Sequence, residues 1–141
     1  MKFSTRTRYG TRALLDIALH DSEGPVLLKD IARRQGISRW YLAHLITPLK
    51  VAGLVRAIRG VRGGFVIAKP PWQINLDEVV QALEGKISLV RCIDNPQAYP
   101  YSNVCATHDL WQEVTTVMVK VLRDKTLQDL IESQKLKAKN E

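Results

Sequence analysis

The sequence predicts a mainly α protein with a small β-hairpin wing: a winged helix-turn-helix DNA-binding domain followed by a long C-terminal dimerisation helix. Three observations carry that expectation. Residues 30–52 read as two short helices around a tight turn at Gly36 and Ile37, the second with Leu42, Leu45, Ile46 and Leu49 at the i, i+3, i+4, i+7 spacing of one buried stripe. A basic, glycine-rich segment from Arg59 to Gly64 lies between two short apolar runs and reads as a hairpin. Further on, Val104, Trp111, Val114, Met118 and Val121 step by seven, three, four and three, close to a heptad, with Leu110, Val117 and Leu122 widening the stripe.

The elements follow in order. Residues 3–20 form a first helix with Ala13, Leu14, Ile17 and Ala18 inward; Ser4, Thr5, Arg6 and Arg8 stand at its start, where hydroxyls, guanidinium groups and free amides suit a phosphate. Asp21 to Pro25 is a turn, and Leu27 to Gln35 is the first helix of the reading pair, without an obvious N-cap. Ser38 caps the second helix, since its hydroxyl can accept a first-turn amide. The outward face of that helix shows Arg39, Trp40, Ala43, His44, Thr47 and Lys50. Pro48 is its misfit: it deletes the amide that would bond the His44 carbonyl, at a cost of up to about 3 kcal/mol, so either the helix bends or it ends early. Strands are expected over Leu54–Ile58 and Phe65–Ala68.

Lys69, Pro70 and Pro71 mark the edge of the reading domain, residues 1–70. A connecting helix on Leu76, Val79, Val80 and Leu83 occupies 71–91 and stops at Gly85. Residues 92–108 form a cysteine-bearing sensor loop, 105–135 the dimerisation helices, and 136–141 a frayed tail. The apolar helix packs on its own domain or, as favoured here, on the same helix of a second subunit. Thr126 and Asp129 can form a capping box for a last helix from Leu127 to about Gln134.

Composition sets the class of partner. The 141 residues are 45% hydrophobic, enough for a core, and no apolar run is long enough to span a bilayer. No N-terminal stretch has the order of a secretory signal, so a cytoplasmic protein with no membrane partner is expected. The net charge is +7, yet residues 1–70 hold 13 Lys/Arg against 4 Asp/Glu while residues 71–141 hold 8 against 10. Basicity confined to the half with the helix-turn-helix is the footprint of a polyanion partner.

Double-stranded DNA is that partner in this reading. The recognition helix would enter the major groove with Ser38, Arg39, Trp40, Tyr41 and His44 toward the bases. Arg39 suits a guanine; Ser38 and His44 suit a base edge or a phosphate. Tyr41 either closes the core or holds a phosphate, and Trp40 either packs against the wing or meets DNA. Arg59 and Arg62 suit a narrow minor groove, and Gly60, Gly63 and Gly64 allow the turn and a close backbone approach. A homodimer sets two heads about one helical turn apart, which predicts a roughly palindromic operator.

The segments RTRYGTRALLDIA, VLLKDIARRQGIS, YLAHLITPLKVAGLV, RGVRGGF and CATHDLW, in this order and spacing, resemble the Rrf2 family of bacterial winged-helix transcription regulators, most nearly its IscR-type iron–sulfur members. The resemblance runs from about residue 1 to 133. It implies a dimeric regulator, with Ser4, Thr5, Tyr9, Ser38, Trp40, Tyr41, His44 and Arg59 at places where family members touch DNA. Ala43 departs from the acidic residue that iron–sulfur-sensing members often carry, and loss of that repulsion would relax operator choice.

Cys92, Cys105 and His108 carry the chemistry of the loop. Thiolates are natural iron–sulfur ligands and an imidazole can replace one; Cys105 and His108, three apart at a helix start, share a face. The resemblance implies a cluster, of the two-iron two-sulfur kind, with His108 as its fourth ligand. The family's middle cysteine is absent: counting back from Cys105 puts Tyr99 in its place, and counting forward from Cys92 can put Ala98 there. Tyr99, Tyr101 or Asp94 can supply an oxygen ligand instead, and a chain that holds no cluster is the alternative. Two further readings stay open: a regulator switched by oxidation or pairing of Cys92 and Cys105, and a cluster-free regulator acting partly through a metabolic-enzyme partner. An enzyme is not expected, since Cys105 and His108 lack evident oxyanion donors.

Overall fold

A computed structural model describes residues 2–90, 93 and 95–140. The chain runs α1 (Thr5–His20), α2 (Leu28–Gln35), α3 (Arg39–Val51), β1 (Val55–Ile58), β2 (Gly64–Ile67), α4 (Leu76–Glu84), α5 (Ala106–Asp124) and α6 (Leu127–Lys139). Single 3-10 turns at Pro96–Ala98 and Ser102–Val104 punctuate the expected loop.

Of the expected inward face of α1, Ala13, Leu14 and Ile17 are fully enclosed, and Ala18 is half-buried at the margin of the core. Gly10 stands where α4 crosses it, and a β-carbon there would lie 2.6 Å from the Leu83 methyls, so any side chain would force Leu83 to repack. α2 begins one residue later than expected; Leu27 occupies the cap position and has no side chain able to accept an amide. α3 buries Leu42, Leu45, Ile46 and Leu49 as a stripe. Of the two outcomes open at Pro48, the helix does not end there: it runs on to Val51, and the Ala52 amide donates to the Pro48 carbonyl at 3.0 Å.

β1 and β2 pair antiparallel with Val55 opposite Ile67 and Ile58 opposite Gly64. Leu54 and Ala68 fall just outside the ladder, although the Ala68 amide still donates to the Leu54 carbonyl at 3.0 Å. Val26 adds a one-residue bridge to Phe65, with both amide–carbonyl bonds made at 2.9 and 2.8 Å. That bridge ties the hairpin to the turn ahead of α2.

A single apolar cluster runs through α1, α2, α3, β1 and α4 and takes in Leu127 and Ile131 of α6. The core is therefore continuous across residue 70, and the last helix folds back onto the reading half. Its entry is zipped to the entry of α4: the Leu76 amide donates to the Lys125 carbonyl at 2.9 Å and the Leu127 amide to the Ile74 carbonyl at 2.8 Å. Both helices open on capping boxes, Asn75 with Glu78 and, as expected, Thr126 with Asp129. α6 continues to Lys139, past the start of the expected tail; Lys137 and Lys139 in its last turn complement the negative end of the helix dipole.

α5 is different. Among its residues only His108 and Thr115 are buried, while Leu110, Trp111, Val117 and Val121 are exposed, as is Val104 just before it. Among the described residues no helix is long and apolar enough to cross a membrane.

Candidate functional site

The N-terminus of α3 is built from its cap outward. The Ser38 hydroxyl accepts the Tyr41 amide at 3.1 Å. Arg39, Trp40, Ala43, His44 and Thr47 all lie exposed on the outer face. Trp40 is 74% exposed, so it does not pack under the wing; its ring meets His44 at 4.4 Å between centroids, edge to face. Tyr41 is half-buried and edge-on to Tyr9 of α1 at 6.3 Å, and the Arg12 guanidinium lies 5.1 Å over the Tyr9 ring. Arg12 also donates to the Gln35 side-chain oxygen at 3.0 Å and to the Gln35 carbonyl at 3.2 Å, satisfying an orphan carbonyl at the end of α2.

Beneath this lies a polar clamp that sequence reasoning missed. Asp16, 2% exposed, accepts from Arg34 Nε at 2.9 Å, from a terminal Arg34 nitrogen at 2.6 Å and from Gln35 Nε2 at 2.9 Å. The Asp16 hydrogen bond raises the Arg34 pKa above its ordinary value. The clamp pins the end of α2 to α1 and so fixes the angle at which α3 leaves the turn. An acid next to the inward residues Leu14 and Ile17, with a cation at the end of the next helix, was the available signal.

At the hairpin tip Arg59, Val61 and Arg62 are exposed. Among the described residues the ion pairs engage other groups, leaving Arg39, Arg59 and Arg62 without a carboxylate. The glycines there are crowded by the protein itself. A β-carbon at Gly63 would lie 2.3 Å from the Ile58 carbonyl oxygen, and one at Gly64 would lie 2.7 Å from that of Val26.

At the start of α1 the expected anion position holds an internal anion. The Ser4 amide, the Ser4 hydroxyl and the Thr7 hydroxyl all donate to the Glu84 carboxylate, at the last turn of α4. These hydroxyls, Ser4 first and Thr7 next, hold the Glu84 carboxyl below the usual range. Thr5 and Arg6 are exposed beside it, and Tyr9 is half-buried one turn on. Neither Thr7 nor Glu84 was singled out in the sequence; an acid in the last turn of a helix, where the dipole disfavours it, is a weak hint.

The cysteine loop is assembled in part. Cys92 and Asp94 lie outside the described residues. Cys105 is the N-cap of α5, with its sulfur 3.0 Å from the Thr107 hydroxyl. That hydroxyl, and then the His108 backbone amide, hold the Cys105 thiol below its ordinary pKa. His108 is buried, and its Nδ1 has no hydrogen-bond partner among the described residues. Tyr99 and Tyr101 are both exposed. Among the described residues no three His, Cys, Asp or Glu side chains are grouped to hold a metal ion. A low-pKa thiol and an orphaned buried imidazole are the right donor chemistry for an iron–sulfur group, short of a full set.

The family described as Rrf2, iron-dependent transcriptional regulator, matches residues 3–133. The chain is 44% identical over 140 residues to protein rrf2 of Nitratidesulfovibrio vulgaris, covering 99% of this chain and 93% of that one. It is similar in structure to CymR, the global cysteine regulator of B. subtilis, with a TM-score of 0.80 at 35% identity over 94% of this chain and 98% of that one. T. potens IscR superposes with a TM-score of 0.78 at 36% identity, over 95% and 88%.

Proposed function

The chain belongs to the Rrf2 family of transcriptional regulators, DNA-binding proteins and not enzymes, and from that premise we propose that it grips a roughly palindromic operator in the cytoplasm as a homodimer and adjusts that grip through Cys92, Cys105 and His108. The observation that carries the reading is the exposed outer face of α3 beside a hairpin whose exposed Arg59 and Arg62 make no ion pair among the described residues. α3 enters the major groove, with Arg39 at a guanine and Trp40 and His44 over base edges. Arg59 and Arg62 reach the adjacent minor groove. Thr5, Arg6, Tyr9, Ser38 and Tyr41 line the backbone around them, and Gly63 and Gly64 hold the tip in a shape a side chain would spoil. The Asp16–Arg34 clamp keeps both elements in one rigid frame.

The uncovered apolar edge of α5 supports the dimer: such a face is stable when a second copy removes it from water. Cys105 and His108, with Cys92, would hold an iron–sulfur group, which when bound would supply a centre whose presence follows iron and oxidant. A thiol switch is the second reading, favoured by the lowered pKa of Cys105 at a partly open position.

Duplexes selected from random sequence by the purified protein test the core of this. Sequence-preferring binding with a steep salt dependence is expected, and Arg59→Ala should weaken it about ten-fold or more. Unchanged affinity in that variant removes the wing from the mechanism. Anaerobic purification separates the two sensing readings: visible absorption and iron favour the cluster, colourless protein with titratable thiols favours the switch.

A further inference from the structure

The outer face of α3 is short of the groups that usually read bases by hydrogen bonding. Guanine is read by Arg or Lys, adenine by Asn or Gln, and cytosine by Asp or Glu. Between Arg39 at one end and Lys50 at the other, the exposed positions i, i+3, i+4 and i+7 are Trp40, Ala43, His44 and Thr47. No amide or carboxylate is among them. The Thr47 hydroxyl spends its proton on the Ala43 carbonyl at 3.0 Å, and the Ser38 hydroxyl, which accepts the Tyr41 amide at the cap, keeps its own proton for the backbone phosphates. What the middle of the face offers is an indole, a methyl group and an imidazole.

The indole is exposed and also held. Trp40 stands 74% exposed in the first turn of α3, the part that reaches deepest in a groove-reading helix. His44, one turn on, abuts its ring at 4.4 Å, so the ring is placed before any ligand arrives. Trp40 and Ala43 are neighbours on the helix surface by their spacing. Of the four bases, thymine alone presents an apolar group in the major groove, its C5-methyl.

We propose that Trp40 and Ala43 form a thymine-methyl subsite, one in each half of the operator, with His44 as the positioning residue that holds the indole. The assignment rests on the reading of the chain as a DNA-binding regulator and adds the base that α3 selects. Specificity then comes from an apolar contact flanked by cations.

The test uses the full-length protein and a duplex it selects from random sequence. Each thymine is replaced in turn by deoxyuridine, which deletes the methyl and keeps the pairing edges. One thymine per half-site should be sensitive, with a loss of roughly three- to five-fold per methyl. Trp40→Ala should bind the thymine duplex more weakly and lose nothing further on deoxyuridine, a double-mutant cycle with strong coupling. Its salt slope and circular dichroism should match the parent, because the exposed ring supports neither the core nor phosphate binding. Equal deoxyuridine penalties in parent and variant, or an operator with no sensitive thymine, overturn the subsite while leaving sequence-specific binding intact. A parent protein that shows no sequence preference at all overturns the regulator reading and the subsite with it.

Discussion

The reading half and α5 solve the burial problem in opposite ways. In the half built on α1 to α4, the apolar stripes of the helices are enclosed in one core, and the deeply buried Asp16 is met by several donors. In α5 the order is inverted: His108 and Thr115 are buried while Leu110, Trp111, Val117 and Val121 face outward. The first region turns its apolar residues inward and its arginines outward, and the second keeps several large apolar side chains in water. A single chain thus carries a basic surface on its head and an apolar edge on α5.

The comparison breaks most severely at Asp16. Replacing it with Ala removes the shared acceptor of the Arg34 and Gln35 side chains at the α1–α2 junction and should cost about 3 kcal/mol for those charge-assisted hydrogen bonds together, read as a shift in the urea midpoint at constant slope. A loss under 1 kcal/mol would show that the clamp is ornamental. At α5 the break is in assembly. Val121→Glu puts a charge on the uncovered edge and should yield a monomer by sedimentation, with operator affinity down by roughly ten- to a hundred-fold. The circular dichroism of the head should be unchanged.

Glu84 sharpens the contrast within the head. Its carboxyl is depressed by the Ser4 and Thr7 hydroxyls, so the contact stabilises the fold fully above the unfolded value of about 4.3 and loses that contribution as pH falls through the lower folded value. Glu84→Gln should cost about 1 kcal/mol at neutral pH and flatten the acid side of the stability curve. The smallest effect is expected at Cys105. Thr107→Val removes the first cause of its low pKa, so the pH midpoint of site-resolved alkylation should move up toward that of an ordinary thiol, with folding unaffected.

Periodicity and caps made much of this legible in advance. The stripe on α3, the Ser38 cap, the Thr126–Asp129 box and the basic hairpin are local patterns, and local patterns survive into the fold. What the sequence hid was long-range. Periodicity shows that α6 has an apolar face but not that Leu127 and Ile131 return to the core under α1. Glu84 meets Ser4 across 80 positions, a pairing no spacing rule can find. Trp40 was ambiguous for the same reason, since a tryptophan on a helix face reads alike whether a wing covers it or water does. The site at Cys92, Cys105 and His108 was legible as donor chemistry, because thiols and an imidazole declare themselves by residue type, whereas the burial of His108 depends on packing that no local pattern carries.

The zipper between Ile74–Leu76 and Lys125–Leu127 has a mechanical consequence. It fastens the C-terminal end of α5 to the head, the end away from Cys105. Nineteen residues of helix span about 28 Å, and that is the distance over which a change of tilt at the clasp is carried toward Cys105. Each degree of tilt there corresponds to about 0.5 Å at the cysteine end, by the same rise per residue. Read from the other end, a few ångströms of rearrangement around Cys105 would correspond to a few degrees of tilt between α5 and the head.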